Sequence, residues 1–108
     1  MLDKQVIIAD FFGIVENNLM EVLSKLSHRE SWQNYITGYE FPEDGDFENG
    51  IMIFMETSSY GEVLLTDIEF FSYLEVTCDE YIKNNAQEAE EVRKLLKKIE
   101  LALNITRE

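Results

Sequence analysis

Residues 51–82 read IMIFMETSSYGEVLLTDIEFFSYLEVTCDEYI, and the order of signals along them decides the fold. Residues 51–55 are an unbroken apolar run, residues 62–66 hold a second short run rich in Val and Leu, and the polar TSSYG at residues 57–61 separates them. Two such runs around a tight polar connection predict a β-hairpin, and their lack of clean alternation predicts burial on both faces. Thr66 then opens T-D-I-E, in which a threonine hydroxyl accepts from the amide three residues on while Glu69 reaches back to the threonine amide. This capping box starts a helix at Asp67. Its buried stripe is read as Ile68, Phe71, Leu74, Cys78, Tyr81 and Ile82, with an end near Asn84 or Asn85.

On the N-terminal side, Ile7, Ile8, Phe11, Phe12 and Val15 recur at helical spacing over residues 4–15, with Gly13 expected to end or bend the segment. Asn18 followed by Glu21 resembles an N-cap with its reciprocal carboxylate, and Leu19, Val22, Leu23 and Leu26 form the stripe of a second helix. Residues 28–41 mix Trp32, Tyr35, Ile36, Tyr39 and Phe41 with polar residues at no clean period, so helix and strand both stay open. Trp32 and Tyr35 are expected in the core. Residues 42–50, PEDGDFENG, hold the chain's one proline and two of its five glycines, the composition of an exposed turn-rich loop.

A final helix is read over residues 88–104, with Val92, Leu95, Leu96, Ile99 and Leu103 inward. Glu88, Glu90 and Glu91 lead it and Arg93, Lys94, Lys97 and Lys98 follow, which suits the helix dipole. The whole is an α+β arrangement, a small antiparallel sheet or hairpin flanked by helices. At 108 residues the chain is long enough for one core and too short for two, so a single compact domain over residues 1–108 is expected.

Composition narrows the function. Nine Lys+Arg stand against 22 Asp+Glu, a formal charge of −13, which repels nucleic-acid backbones and anionic membranes alike. The apolar run at 51–55 is far short of the roughly 20 residues a membrane-spanning helix needs. Asp3 and Asp10 interrupt the first apolar stretch, no basic leader or cleavage site follows, and the single cysteine admits no internal disulfide, so a cytoplasmic location is expected.

The charge is unevenly placed. Residues 1–39 carry five acids and three bases and residues 81–108 five acids and six bases. Residues 40–80 carry twelve acids (Glu40, Glu43, Asp44, Asp46, Glu48, Glu56, Glu62, Asp67, Glu69, Glu75, Asp79 and Glu80) and not one Lys or Arg. Uncompensated acids raise the free energy of a compact state, so such clustering fits a site where a basic partner supplies the opposite charge. The bland alternative is a solvated, solubilising face. Phe47 and Tyr60, both in predicted turns beside this charge, are candidate interface anchors. The candidate partner-binding residues are thus Glu40, Glu43, Asp44, Asp46, Phe47, Glu48, Glu56, Tyr60, Glu62 and Asp67.

Catalytic chemistry finds little support. Asp44, Asp46 and Glu48 have the alternate spacing of a hand-type calcium loop, yet its sixth position is Asn49 rather than Gly and its twelfth is Met55 rather than Glu. One His and one Cys cannot build a zinc site. Cys78 falls on an apolar stripe, where burial raises a thiol's pKa, and His28 falls near a helix end as a dipole-satisfying surface residue. No phosphate-cradling Gly loop, nucleophile elbow or HExxH occurs, and Asn104-Ile105-Thr106 is a sequon without meaning in an unexported chain. No catalytic residue, metal or cofactor is assigned.

With IMIFMET, EVLLTDIEFFSYLEVTCDEYI and KLLKKIELAL, about the last 60 residues resemble the small acidic immunity proteins of bacterial contact-dependent growth inhibition (CDI) systems, the group paired with ribonuclease toxins. The shared pattern, a strand leading into a Thr-capped helix of the form EFFxYLxxxxxxYI, is structural rather than catalytic. The resemblance implies a cytoplasmic, non-enzymatic protein that binds and neutralises the C-terminal domain of one cognate toxin. It carries over no binding residue, so the acidic site rests on charge. Two other classes stand beside it: an acidic adaptor or nucleic-acid mimic docking on a basic intracellular partner, and an enzyme using carboxylates.

Overall fold

A computed structural model describes residues 3–56 and 60–105. Helix α1 (Lys4–Asn17) starts at Asp3, whose carboxylate accepts from the Gln5 amide at 2.9 Å, and buries Ile7, Ile8, Phe11, Phe12 and Val15. Gly13 does not end the helix, which continues through it to Asn17. The glycine is exposed with no atom within 4 Å of a Cβ placed there, so it costs only helix propensity, about 1 kcal/mol, against five buried apolar side chains.

Helix α2 (Leu19–Ser27) buries Leu19, Val22, Leu23 and Leu26. Asn18 precedes it but makes no side-chain cap; its amide instead donates to the Ile14 carbonyl at 2.9 Å, closing the end of α1. Glu21 does not reach back either, and accepts from the Trp32 indole N–H at 3.2 Å. The two helices follow each other so closely that the end of the first outcompetes the start of the second for this side chain.

Residues 28–41 resolve into strands. Strands β1 (Trp32–Gln33) and β2 (Thr37–Glu40) are joined by a turn in which the Asn34 carboxamide oxygen accepts from the amides of Ile36 and Thr37, both at 2.8 Å. Trp32 is buried as expected. Tyr35 is not: it sits in that turn and is 91% exposed. Thr37 is buried, its hydroxyl donating to the Phe54 carbonyl, and the buried Tyr39 phenol donates to the Glu30 carbonyl at 2.8 Å.

Strands β3 (Ile51–Glu56) and β4 (Tyr60–Leu65) complete an antiparallel sheet of order β1-β2-β3-β4, in register Tyr39–Ile53–Val63 and Glu40–Met52–Leu64. The expected hairpin is present. Residues 57–59 of its connection lie outside the described residues, and Tyr60, expected in the turn, is the first residue of β4 opposite Glu56. Burial on both faces is corrected. Ile51, Ile53, Met55, Val63 and Leu65 are buried, while Met52 and Phe54 are half-buried and Tyr60, Glu62 and Leu64 exposed. Helices cover one face of the sheet only.

Helix α3 (Asp67–Asn84) begins with the expected capping box: the Glu69 amide donates to Thr66 Oγ1 at 3.1 Å and the Thr66 amide to Glu69 Oε1 at 2.9 Å. Its buried face is Phe70, Phe71, Leu74, Thr77 and Cys78. Ile68 is 60% exposed, and Tyr81 and Ile82 are half-buried. The stripe is centred nearer Phe70 because that ring joins Phe11, Phe12 and Tyr39, with centroids 6.1, 5.4 and 5.8 Å away, between α1, α3 and the sheet. Helix α4 (Ala89–Ala102) packs against α2, burying Val92 and Ile99, with Leu103 buried just beyond its end and Leu95 and Leu96 half-buried.

Candidate functional site

Alternation along the strands puts a defined set of residues on the uncovered face. Across β2, β3 and β4 these are Gly38–Phe54–Glu62 and Glu40–Met52–Leu64, with Glu56 opposite Tyr60 at the hairpin end. Gly38 permits close pairing with β1, since a Cβ there would stand 2.6 Å from the Trp32 carbonyl oxygen. Three carboxylates and a phenol therefore surround the apolar side chains of Met52 and Phe54.

The acidic loop closes one side of this face. Pro42 to Asp44 form a 3-10 turn, and the Phe47 ring folds over Gly45, where a Cβ would stand 2.7 Å from it. Glu40, Asp44, Asp46, Phe47, Met52 and Glu62, with Gly45, line a shallow cavity of about 350 Å³. No Lys or Arg is among them. Beside it, Tyr60 donates to Glu62 Oε2 at 2.9 Å. Partial burial, that hydrogen bond and the charges of Glu62, Glu40 and Glu56 push its phenol up to about 12, so the hydroxyl stays a donor at any physiological pH. On the other side of Glu62, Lys4 of α1 and Val63 share a small groove at the free edge of β4.

Of the ten residues singled out in the sequence, seven share this surface: Glu40, Asp44, Asp46, Phe47, Glu56, Tyr60 and Glu62. Glu48 is exposed in the loop but does not line the cavity. Glu43 is taken by the chain itself: Arg29 donates to its two carboxylate oxygens at 2.9 and 3.1 Å, with the guanidinium 4.5 Å from the Phe41 ring centroid. The hydrogen bond from Arg29 holds the Glu43 carboxyl below its usual range. Asp67 stands at the first turn of α3, half-buried in a different groove, and burial raises its pKa although the charge of Arg29 opposes the shift.

Sequence reasoning missed Met52, Phe54 and Leu64, because an unbroken apolar run reads as two-faced burial, and it missed Arg29, which lies 14 residues from its partner. The remaining chemistry is spare. Cys78 is fully buried, and burial with the charges of Asp79 and Glu75 pushes its thiol up to about 12. His28 is exposed at the end of α2, its Nδ1 2.9 Å from the Ser24 carbonyl oxygen. Among the described residues no group of three or more His, Cys, Asp or Glu is placed to hold a metal ion, and no helix is long and apolar enough to cross a membrane.

A family model described as CDI immunity protein matches residues 4–96, from the first turn of α1 into α4. The chain belongs to the CDI immunity protein family. No curated protein matches it. Membership implies binding and neutralisation of a cognate CDI toxin, in a family whose members are generally inhibitors rather than enzymes. The match begins well before the 60 or so residues that carried the resemblance and includes the whole open sheet face and the acidic loop.

Proposed function

We propose that this CDI immunity protein neutralises a ribonuclease toxin in the cytoplasm by laying its open sheet face and acidic loop over the toxin's RNA-binding site. The observation that carries the reading is the company kept by the acids: Glu40, Asp44, Asp46 and Glu62 ring one cavity without a base among its lining residues, next to Glu56 and Tyr60. A ribonuclease holds the RNA backbone with Lys, Arg or His, and carboxylates spaced over a rigid sheet meet those same groups. Long-range attraction then speeds capture, and Met52, Phe54 and Phe47 supply apolar contact that slows release. Occlusion of the RNA site is sufficient for inhibition and requires no catalysis by the immunity protein.

The test uses the purified toxin domain encoded beside this chain. Wild-type protein should abolish cleavage of RNA by that domain at equimolar amounts, and RNA oligonucleotide should compete with the immunity protein for it. A toxin that acts on another substrate, or one that binds RNA and this protein simultaneously, would refute the ribonuclease reading or the occlusion reading respectively.

A further inference from the structure

A second concavity, a groove of about 560 Å³, opens where the end of β4, the first turn of α3 and the segment following α4 meet, lined by Leu64, Leu65, Asp67, Ile68, Leu103 and Ile105 among others. Two large apolar side chains stand uncovered at it: Leu64 is 47% exposed and Ile68 60% exposed. Adjacent exposed apolar side chains in a concavity are the usual seat of an interface anchor. Asp67 is the one charged residue in the lining, and its half-buried carboxylate accepts no hydrogen bond and forms no ion pair within 4 Å among the described residues. Arg29, which is held by Glu43, offsets the burial of that charge only in part, and a cation brought from outside would compensate the rest. The groove also runs into the acidic face, because Leu64 lies cross-strand from Met52, which lines the cavity described above.

We infer that this groove is a second anchor point for the toxin, seating an apolar side chain of the partner next to a lysine or arginine that meets Asp67. The inference rests on the toxin-binding reading and adds a contact that the acidic face does not supply. A second copy of this chain is a poor occupant: each copy carries a formal −13, and the groove adjoins the face that holds Glu40, Asp44, Asp46 and Glu62. An anionic lipid surface is repelled for the same reason.

The experiment measures binding of the toxin domain to Ile68→Ala, to Asp67→Asn and, separately, to the sheet-face variant Glu40→Lys/Glu62→Lys, with thermal melting of each free protein as the control for folding. Ile68→Ala should weaken binding by about ten- to hundredfold through faster dissociation, while melting with the wild type because its side chain is already exposed. Asp67→Asn should weaken it by about tenfold and flatten its salt dependence. Unchanged affinity in both groove variants, with weakened binding in the sheet-face variant, overturns this inference and leaves the acidic-face reading standing. The reverse pattern supports the groove and refutes the acidic face. A wild-type dimer that Ile68→Ala converts to monomer would assign the groove to a second copy and overturn the inference.

Discussion

Reversing Glu40 and Glu62 to Lys puts the electrostatic reading at risk with little cost to the fold. Both residues line the 350 Å³ cavity from the solvent side of the sheet, and the double variant leaves Asp44, Asp46 and Glu56 as the acids of that face. A cube of that volume is about 7 Å on edge, and that length is taken as the separation between a toxin base at the cavity and each of the two positions. A unit charge pair 7 Å apart in water is worth about 0.6 kcal/mol. Each reversal changes the interaction by twice that, and two reversals by about 2.4 kcal/mol, or about fiftyfold in encounter rate at low ionic strength. At physiological salt the screening length of about 8 Å cuts the change to about 1 kcal/mol, near fivefold.

The assay is stopped-flow association of the toxin domain with wild type and double variant over a salt series. The two rates should differ by about fiftyfold in the most dilute buffer and converge toward the neutral range of about 10⁵ to 10⁶ M⁻¹s⁻¹ as salt rises. The fold should survive, since the one described hydrogen bond lost is that from the exposed Tyr60 to Glu62. Equal association rates at low salt, with both proteins folded by circular dichroism, would refute the claim that these carboxylates steer the partner.

Thr66→Ala removes the hydroxyl half of the α3 capping box and should lower the free energy of urea unfolding by about 1 kcal/mol. Acid titration should separate two kinds of carboxylate. Glu43, held below its ordinary value of 4.5 by the hydrogen bond from Arg29, adds stability above that value and loses it as the pH falls through its lower folded pKa, so Arg29→Ala should flatten that part of the curve. Asp67, raised above 3.8 by burial, has the opposite sign: its contribution is present below 3.8 and lost as the pH rises through its folded pKa, so Asp67→Asn should gain stability relative to wild type on the neutral side. Finally, Cys78 should resist a thiol reagent at pH 8 in the native state and react fully in urea, because both its burial and its pKa of about 12 withhold the thiolate; rapid native labelling would contradict the packing of α3.

Local signals in the sequence read well where one interaction decides the outcome. T-D-I-E predicted the start of α3 to the residue, since a capping box needs only groups three positions apart. Asn18 and Glu21 show the same signal failing: the residue types are right, but the end of α1 and the Trp32 indole offer these side chains partners that lie outside the four-residue window. Ile68 failed for a related reason. Its spacing fits the α3 stripe as well as Phe70 does, and what excludes it is the position of Phe11, Phe12 and Tyr39, which come from two other elements.

The acidic run in the sequence could not distinguish acids left open to solvent from acids already paired within the chain. Seven of the ten candidate residues share the open face because strand alternation and the loop return put them there, and that arrangement depends on which face of the hairpin the helices cover. The run IMIFM gave no sign of it: Ile51, Ile53 and Met55 are buried on the helix-covered side, Met52 and Phe54 lie on the open side, and both sets are apolar. Apolar side chains on the open side are what a protein interface needs and a solvated face does not. Glu43 makes the complementary point. Arg29 reaches it from a left-handed backbone position, φ 54°, at the end of α2, and no spacing rule pairs residues across that turn. A charge-reversal series that counted Glu43 with Asp44 and Asp46 would break an internal ion pair along with any external one. The two causes are separable because Arg29→Ala frees Glu43 without adding positive charge: it should leave capture by the toxin no slower than wild type, whereas Asp46→Lys should slow it.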